Sequence, residues 1–226
     1  MKKNITTLFT ILLFAQSFFS VCFGFYPGII APFEAHAATI SDLPESATFQ
    51  EGDIIFQAMS TTQSMAIKLA TKSDYTHCGI LLKKDGKLQV FEAIRKVSWT
   101  PLDVWIKRGV NGHYVLMRLR DSTSLTPHKL EVMTKNAALF AGKDYDLLFE
   151  WSDEKIYCSE LVWKLYQRHA GIELGSLRLV RDYDLNHEEV QKKALERYGL
   201  EIPWEQQVVA PSDIMNCGLL ELVEKN

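Results

Sequence analysis

The feature that most constrains this chain is Asp85-Gly86, set between two strand-like runs, Thr76–Lys83 and Lys87–Ile94. An Asp-Gly pair between alternating runs is the strongest short hairpin signal, because the favoured turn needs positive φ at both central residues. With Lys84 and Lys87 flanking the turn, Gly79 lies opposite Glu92 and His77 opposite Ile94. Side chains alternate across a strand. His77, Gly79, Glu92 and Ile94 therefore share one face, and Cys78, Ile80, Leu82, Phe91 and Ala93 share the other, almost wholly apolar one. His77 and Glu92 are diagonal neighbours, with Cβ atoms about 7–8 Å apart or somewhat less. Gly79 has no side chain to fill the space between them. Turn chemistry alone thus predicts a His–carboxylate pair on a sheet.

The rest of the pattern mixes short strands with helices. Asp53–Gln57 reads as a strand after Gly52, and Thr61–Lys72 as a helix with Thr61 or Thr62 as its cap. Thr100-Pro101-Leu102-Asp103 is expected to open a helix, Thr100 capping and Pro101 first in the helix, that ends near Gly109. His113–Arg120 alternates as a strand, and Thr126-Pro127 opens a helix reaching Ala141. Ile156–Ala170 reads as a helix stopped by Gly171. Asn186 is expected to cap a further helix over His187–Tyr198, whose Glu188–Arg197 charge run reads as a solvated face. Short strands follow near Val208 and over Leu219–Val223. The composition, 47% hydrophobic and 23% charged, excludes disorder and a multi-span membrane protein. Together these point to one α+β domain on an antiparallel sheet. Twenty-five Lys and Arg against 28 Asp and Glu argue against a nucleic-acid partner, which would need a basic surplus.

Lys2-Lys3, an uncharged run from Leu8 to Phe25, and Ala35-His36-Ala37 have the layout of a secretory signal with an A-x-A cleavage site. The expectation is a signal peptide over 1–37 and a single domain over 38–226, exported to a periplasm or secreted, with no membrane span after cleavage. The alternative is a retained anchor, since the uncharged run of about 18 residues is at the lower limit for spanning a bilayer. Removing the signal leaves Cys78, Cys158 and Cys217. In an oxidising compartment an odd number leaves at least one thiol unpaired, and that thiol needs a reason.

Cys158 supplies one. It lies three and four residues before Leu161 and Val162, so it faces inward with them. It also lies in the first turn of its helix, where backbone N–H groups and the dipole favour a thiolate. A buried structural cysteine is the plain alternative. A thiol at a helix start, His77 on a strand and Glu92 behind it form a nucleophile, a base and an orienting group. Neither Cys-x-x-Cys nor His-Glu-x-x-His occurs, so no metal and no cofactor is expected.

Gly52-Asp53-Ile54-Ile55-Phe56, Tyr75-Thr76-His77-Cys78-Gly79-Ile80, Val90-Phe91-Glu92-Ala93, Gly142-Lys143-Asp144-Tyr145-Asp146 and Tyr157-Cys158-Ser159-Glu160-Leu161-Val162 follow one another in that order. In this order they resemble the permuted papain-like, NlpC-related thiol hydrolases of the YiiX/YaeF-like group, in which the His hairpin precedes the Cys. The resemblance spans roughly residues 51–169. It implies a circularly permuted papain-like fold, Cys158 as nucleophile, His77 as base and Glu92 as the third, polar residue. The implied activity is an amidase or peptidase acting on a peptide or cell-wall-derived amide through a thioester. A thiol-dependent lipid hydrolase or acyltransferase shares the same residues, and a non-catalytic envelope binding module with a buried or disulfide-bonded Cys158 is the reading from a different class. A long apolar cleft would favour lipid; an acidic one would favour a peptide amine. The Cys158 backbone N–H is the natural oxyanion donor, with Tyr75 and Tyr157 as hydroxyl candidates. Tyr145 and Asp146 are candidate substrate contacts, the aspartate, with Asp144, toward a cationic group. Cys78 reads as core packing. Residues 176–226, beyond the resemblance, are expected to shape substrate access.

Overall fold

The computed structural model describes residues 49–226. The signal-peptide reading, its cleavage site and the domain start at 38 lie outside the described residues.

Within them, six antiparallel strands form the main sheet. They are β1 (Ile54–Gln57), β2 (His77–Lys84), β3 (Lys87–Ala93), β4 (Val97–Pro101), β5 (Val115–Leu119) and β8 (Leu220–Lys225), in the order β4-β3-β2-β1-β5-β8. A small ribbon pairs β6 (Arg178–Leu179) with β7 (Gln207–Val208). The hairpin register is the one its turn predicts: Lys84 pairs Lys87 and Ile80 pairs Phe91, with positive φ at both Asp85 and Gly86. The alternation then divides the core. Phe56, Cys78, Ile80, Leu82 and Phe91 face α4 (Cys158–Ala170) in one cluster. Ile55, Leu81 and Val90 face Trp105 of α2 (Leu102–Arg108) in a second.

The helices largely obey their caps. Thr61 accepts from the Ser64 N–H at the start of α1 (Thr62–Thr71), and Thr126 from the Lys129 N–H at the start of α3 (Pro127–Ala137). Gly171 closes α4 in the left-handed conformation that a glycine adopts without penalty. The helix α3 ends at Ala137 rather than reaching Ala141, and two capping expectations fail. Thr100 caps nothing: Val97–Pro101 is a strand paired with β3, and α2 starts after Pro101 without a side-chain cap. Pairing with a buried neighbour outweighs a local capping signal there. Likewise α5 (Glu188–Tyr198) is capped by His187, whose Nδ1 accepts from the Glu189 N–H, and not by Asn186. A last short helix, α6, spans Pro211–Met215.

Candidate active site

Glu92 is fully buried on the α2 face of the sheet, and four side chains converge on it. His77 Nε2 donates to Oε2 at 2.6 Å. Thr100 Oγ1 donates to Oε1 at 2.6 Å and Trp105 Nε1 to Oε2 at 2.9 Å. Arg108 Nη2 reaches both oxygens, at 2.6 and 2.5 Å. The Trp105 ring also stacks on His77, with centroids 5.9 Å apart. Each group is placed by local geometry. Thr100 is two residues from Ser98, the residue opposite Glu92, so it shares the glutamate's face. Trp105 and Arg108 are three apart on α2 and share a helix face. Val90 packs over Gly79, where an added Cβ would run into its Cγ1. Burial pushes the Glu92 carboxyl up, but the bonds from His77 and Arg108 outweigh it and hold the group at about 2.

Cys158 is the first residue of α4 and His77 the first of β2, so a helix start meets a strand start. Glu160, two residues into α4, accepts the Tyr157 N–H at 3.2 Å and anchors the turn. Because His77 gives Nε2 to Glu92, Nδ1 is the nitrogen left for the Cys158 side chain. The Cys158 thiol is held well below its ordinary range. A hydrogen bond from the Cys78 thiol contributes most; burial opposes it, and His77 and the Cys78 backbone N–H add to the lowering. Cys78 itself is pushed well up, by burial first and then by the Cys158 charge, so it stays a protonated donor. Burial lowers the His77 imidazole, yet its bonds to Cys158 and Glu92 outweigh this and raise it to about 9. The arrangement is that of a thiolate beside an imidazolium backed by a carboxylate, His preceding Cys in the chain.

The same order is what one family model describes. Residues 48–224 match the permuted papain-like amidase enzymes of the YaeF/YiiX, C92 family. This chain belongs to that family. It is 42% identical over 176 residues to the uncharacterized protein YiiX of Escherichia coli strain K12, covering 78% of this chain and 86% of that one. A crystal structure of YiiX from Escherichia coli O157:H7, described as a metalloprotein, superposes with a TM-score of 0.75 at 42% identity, over 78% of this chain and 97% of the other. The fold is accordingly α+β and permuted papain-like, and the family is one of amidases.

The remaining candidates separate. Tyr145 lines a cavity beside Cys158; its hydroxyl accepts from Gln63 Nε2 at 3.0 Å. Tyr157 lines it too, but its hydroxyl is occupied by the Val209 N–H at 3.1 Å. Tyr75 lies outside this cavity, on a separate groove. Asp146 is buried within its own turn, accepting the Leu148 N–H at 2.8 Å, and Asp144 is exposed and paired with Lys96; neither lines the cavity. The acidic grip on a cationic group therefore has no counterpart there.

The cavity, about 140 Å³, is walled by residues of which about half lie beyond the resembling segment. Val180, Tyr183 and Val208–Pro211 form part of it, and α5 forms one side. Here the charged α5 run is not simply a solvated face: Val190, Lys193, Ala194 and Arg197 recur at helical spacing and look inward. Sequence reasoning also passed over Gln63, Trp105 and Arg108 as site residues and took Thr100 for a helix cap. The three-residue spacing of Trp105 and Arg108 was the available signal, but only the fold reveals the carboxylate they share.

Proposed function

We propose that the protein is an exported cysteine amidase, with residues 1–37 as a cleaved signal and 38–226 as one hydrolase domain. Cys158 is the nucleophile, His77 the acid and base, and Glu92 the group that orients His77 and stabilises its charge. The observation that carries this reading is the 2.6 Å His77–Glu92 bond behind a cysteine that opens a helix. The Cys158 thiolate attacks the amide carbonyl carbon. A C–S bond forms and the carbonyl π electrons move to oxygen, where the Cys158 backbone N–H, free of any intrahelical acceptor at a helix start, receives the oxyanion. The intermediate collapses, the C–N bond breaks, and the His77 imidazolium gives its proton to the departing amine. Neutral His77 then takes a proton from water, hydroxide attacks the thioester, and the thiolate leaves with the carboxylic acid as second product.

The YiiX neighbour is described as a metalloprotein. The residues described here do not fit a resident metal. No group of three or more His, Cys, Asp or Glu among them is arranged to hold one, and the Glu92 carboxylate is filled by four donors including a guanidinium. No step runs through a metal. Nor is any helix among the described residues long and apolar enough to cross a membrane.

The test is Cys158 alkylation by iodoacetamide against pH, in the wild type and in His77→Ala. Rapid labelling well below the free-thiol value of about 8.5, lost in the variant, is expected. Equally slow labelling in both proteins would return Cys158 to a structural role and leave a binding module.

A further inference from the structure

Gln57 is the last residue of β1 and lies directly opposite His77, the first residue of β2. Residues paired across two antiparallel strands share a face. Both therefore project to the α2 side of the sheet, where Ile55, two residues before Gln57, also packs. His77 thus has the Glu92 carboxylate on its β3 flank, the Trp105 ring stacked on it, and a carboxamide on its β1 flank.

Gln57 is fully buried, and neither its amide nitrogen nor its amide oxygen has a hydrogen-bond partner among the described residues. The backbone around it is well tied. The Thr76 N–H donates to the Gln57 carbonyl and the Val110 N–H to the Ala58 carbonyl, both at 3.1 Å. Gly109, at the end of α2, packs on the side chain: a Cβ there would stand 2.5 Å from Oε1. A buried amide with unmade bonds is costly, and an apolar side chain of the same length would avoid the cost. Departures of that kind are few in a native protein and gather at functional sites.

The charges around His77 leave one place for this carboxamide to act. Glu92 on β3 takes Nε2, and Nδ1 is left for Cys158 of α4. Arg108 of α2 gives Nη2 to Glu92. What remains is the carbon edge of the imidazole, which carries part of the positive charge when the ring is protonated. A carbonyl oxygen accepts weakly from polarised C–H groups, and a dipole counts for more in a buried site than in water.

We propose that Gln57 is a positioning residue for His77: its carboxamide closes the β1 flank of the ring and turns its oxygen toward the imidazolium. The proposal rests on His77 acting as the acid and base of the site. Gln57 touches no reacting atom. It helps keep on His77 the proton that the departing amine takes.

The experiment titrates His77 by NMR in protein carrying 13C-labelled histidine, the His77 signal being the one lost in His77→Ala. Gln57→Met keeps the volume and removes the dipole. The His77 value is expected to fall from about 9 by roughly half a pH unit, about a threefold loss of proton affinity. Gln57→Glu keeps an acceptor oxygen whether or not it is ionised, and its His77 value is expected at or above that of the wild type. The low-pH limb of Cys158 alkylation is expected to stay in place in Gln57→Met, because His77 is charged on both sides of that step. Urea midpoints of Gln57→Met are expected to match or exceed the wild type, since an unpartnered amide is removed. A His77 value that stays or rises in Gln57→Met would overturn the proposal and leave a packing residue. So would a fall of the same size in Gln57→Glu, which also decides the matter if Gln57→Met does not fold. Slow Cys158 labelling in the wild type would sink the amidase reading, and the His77 titration would then judge Gln57 on its own.

Discussion

Two glutamates among the described residues are fully buried, and they are pushed in opposite directions. Glu92 is held at about 2, whereas burial raises Glu160 to about 7. Both lie beside the candidate site and both have a cationic partner, Arg108 for one and Lys164 at 2.6 Å for the other. The difference is the number of donors and the neighbouring charge. Glu92 receives His77, Thr100, Trp105 and Arg108. Against the desolvation of Glu160 stand Lys164 and one backbone N–H, and the nearby Asp146 charge adds to the rise. Burial alone does not decide whether a carboxylate is charged; the count of groups that solvate it in place of water does. The carboxylate paired with the catalytic candidate His77 is the fully solvated one.

The strongest way to break this comparison is Glu92→Ala. It strands Arg108 and His77 in a buried site, and losing one partner of a buried ion pair costs about 3–5 kcal/mol. Denaturant midpoints at pH 7 are expected to fall accordingly, and the low-pH alkylation of Cys158 to fade because His77 loses its counter-charge. Acid titration sharpens the same point without mutation. The folded Glu92 value of about 2 lies below its ordinary 4.5, so its contribution, about 3 kcal/mol by linkage, is complete above pH 4.5 and lost as pH falls through 2. Arg108→Ala is expected to move that acid limb upward and to cost about 1.5–3 kcal/mol, the worth of a hydrogen bond to a charged group.

Gly79→Ala tests the packing beside the His77–Glu92 pair. The added Cβ would meet Val90, and overpacking of this kind costs about 1–3 kcal/mol. Thermal melts are expected to show that loss, together with slower Cys158 alkylation as the pair is forced apart. The opposite sign belongs to the other glutamate. Its folded value of about 7 lies above 4.5, so the folded state holds the extra proton and stability declines as pH rises from 4.5 through 7. Glu160→Gln is expected to flatten that decline in urea midpoints taken across the range; an unchanged slope would assign it to another group.

Much of one half of the site was legible before folding. Asp85-Gly86 set the register, the register put His77 and Glu92 on one face, and Cys158 at a helix start completed the set. These are local relations, governed by turn conformation and by the two-residue period of a strand. Thr100 was misread for the same reason: its local signal is a cap, and only pairing of β4 with β3 turns its hydroxyl onto Glu92. Cys78 was assigned to the core, where it is buried, but its second role as donor to Cys158 depends on how α4 seats against β2.

The sequence by itself determined the fold class, the hairpin register and the placing of His77 and Glu92 on one face, because each follows from contacts within one element or across one turn. Tertiary structure alone decided what surrounds them. Arg108 and Trp105 reach Glu92 only once α2 lies across the sheet. The apolar cavity exists only because α1 and α5, more than a hundred residues apart in the chain, turn matching faces to one gap. Such packing depends on shapes brought together from distant segments, and no local period encodes which helix face will meet which.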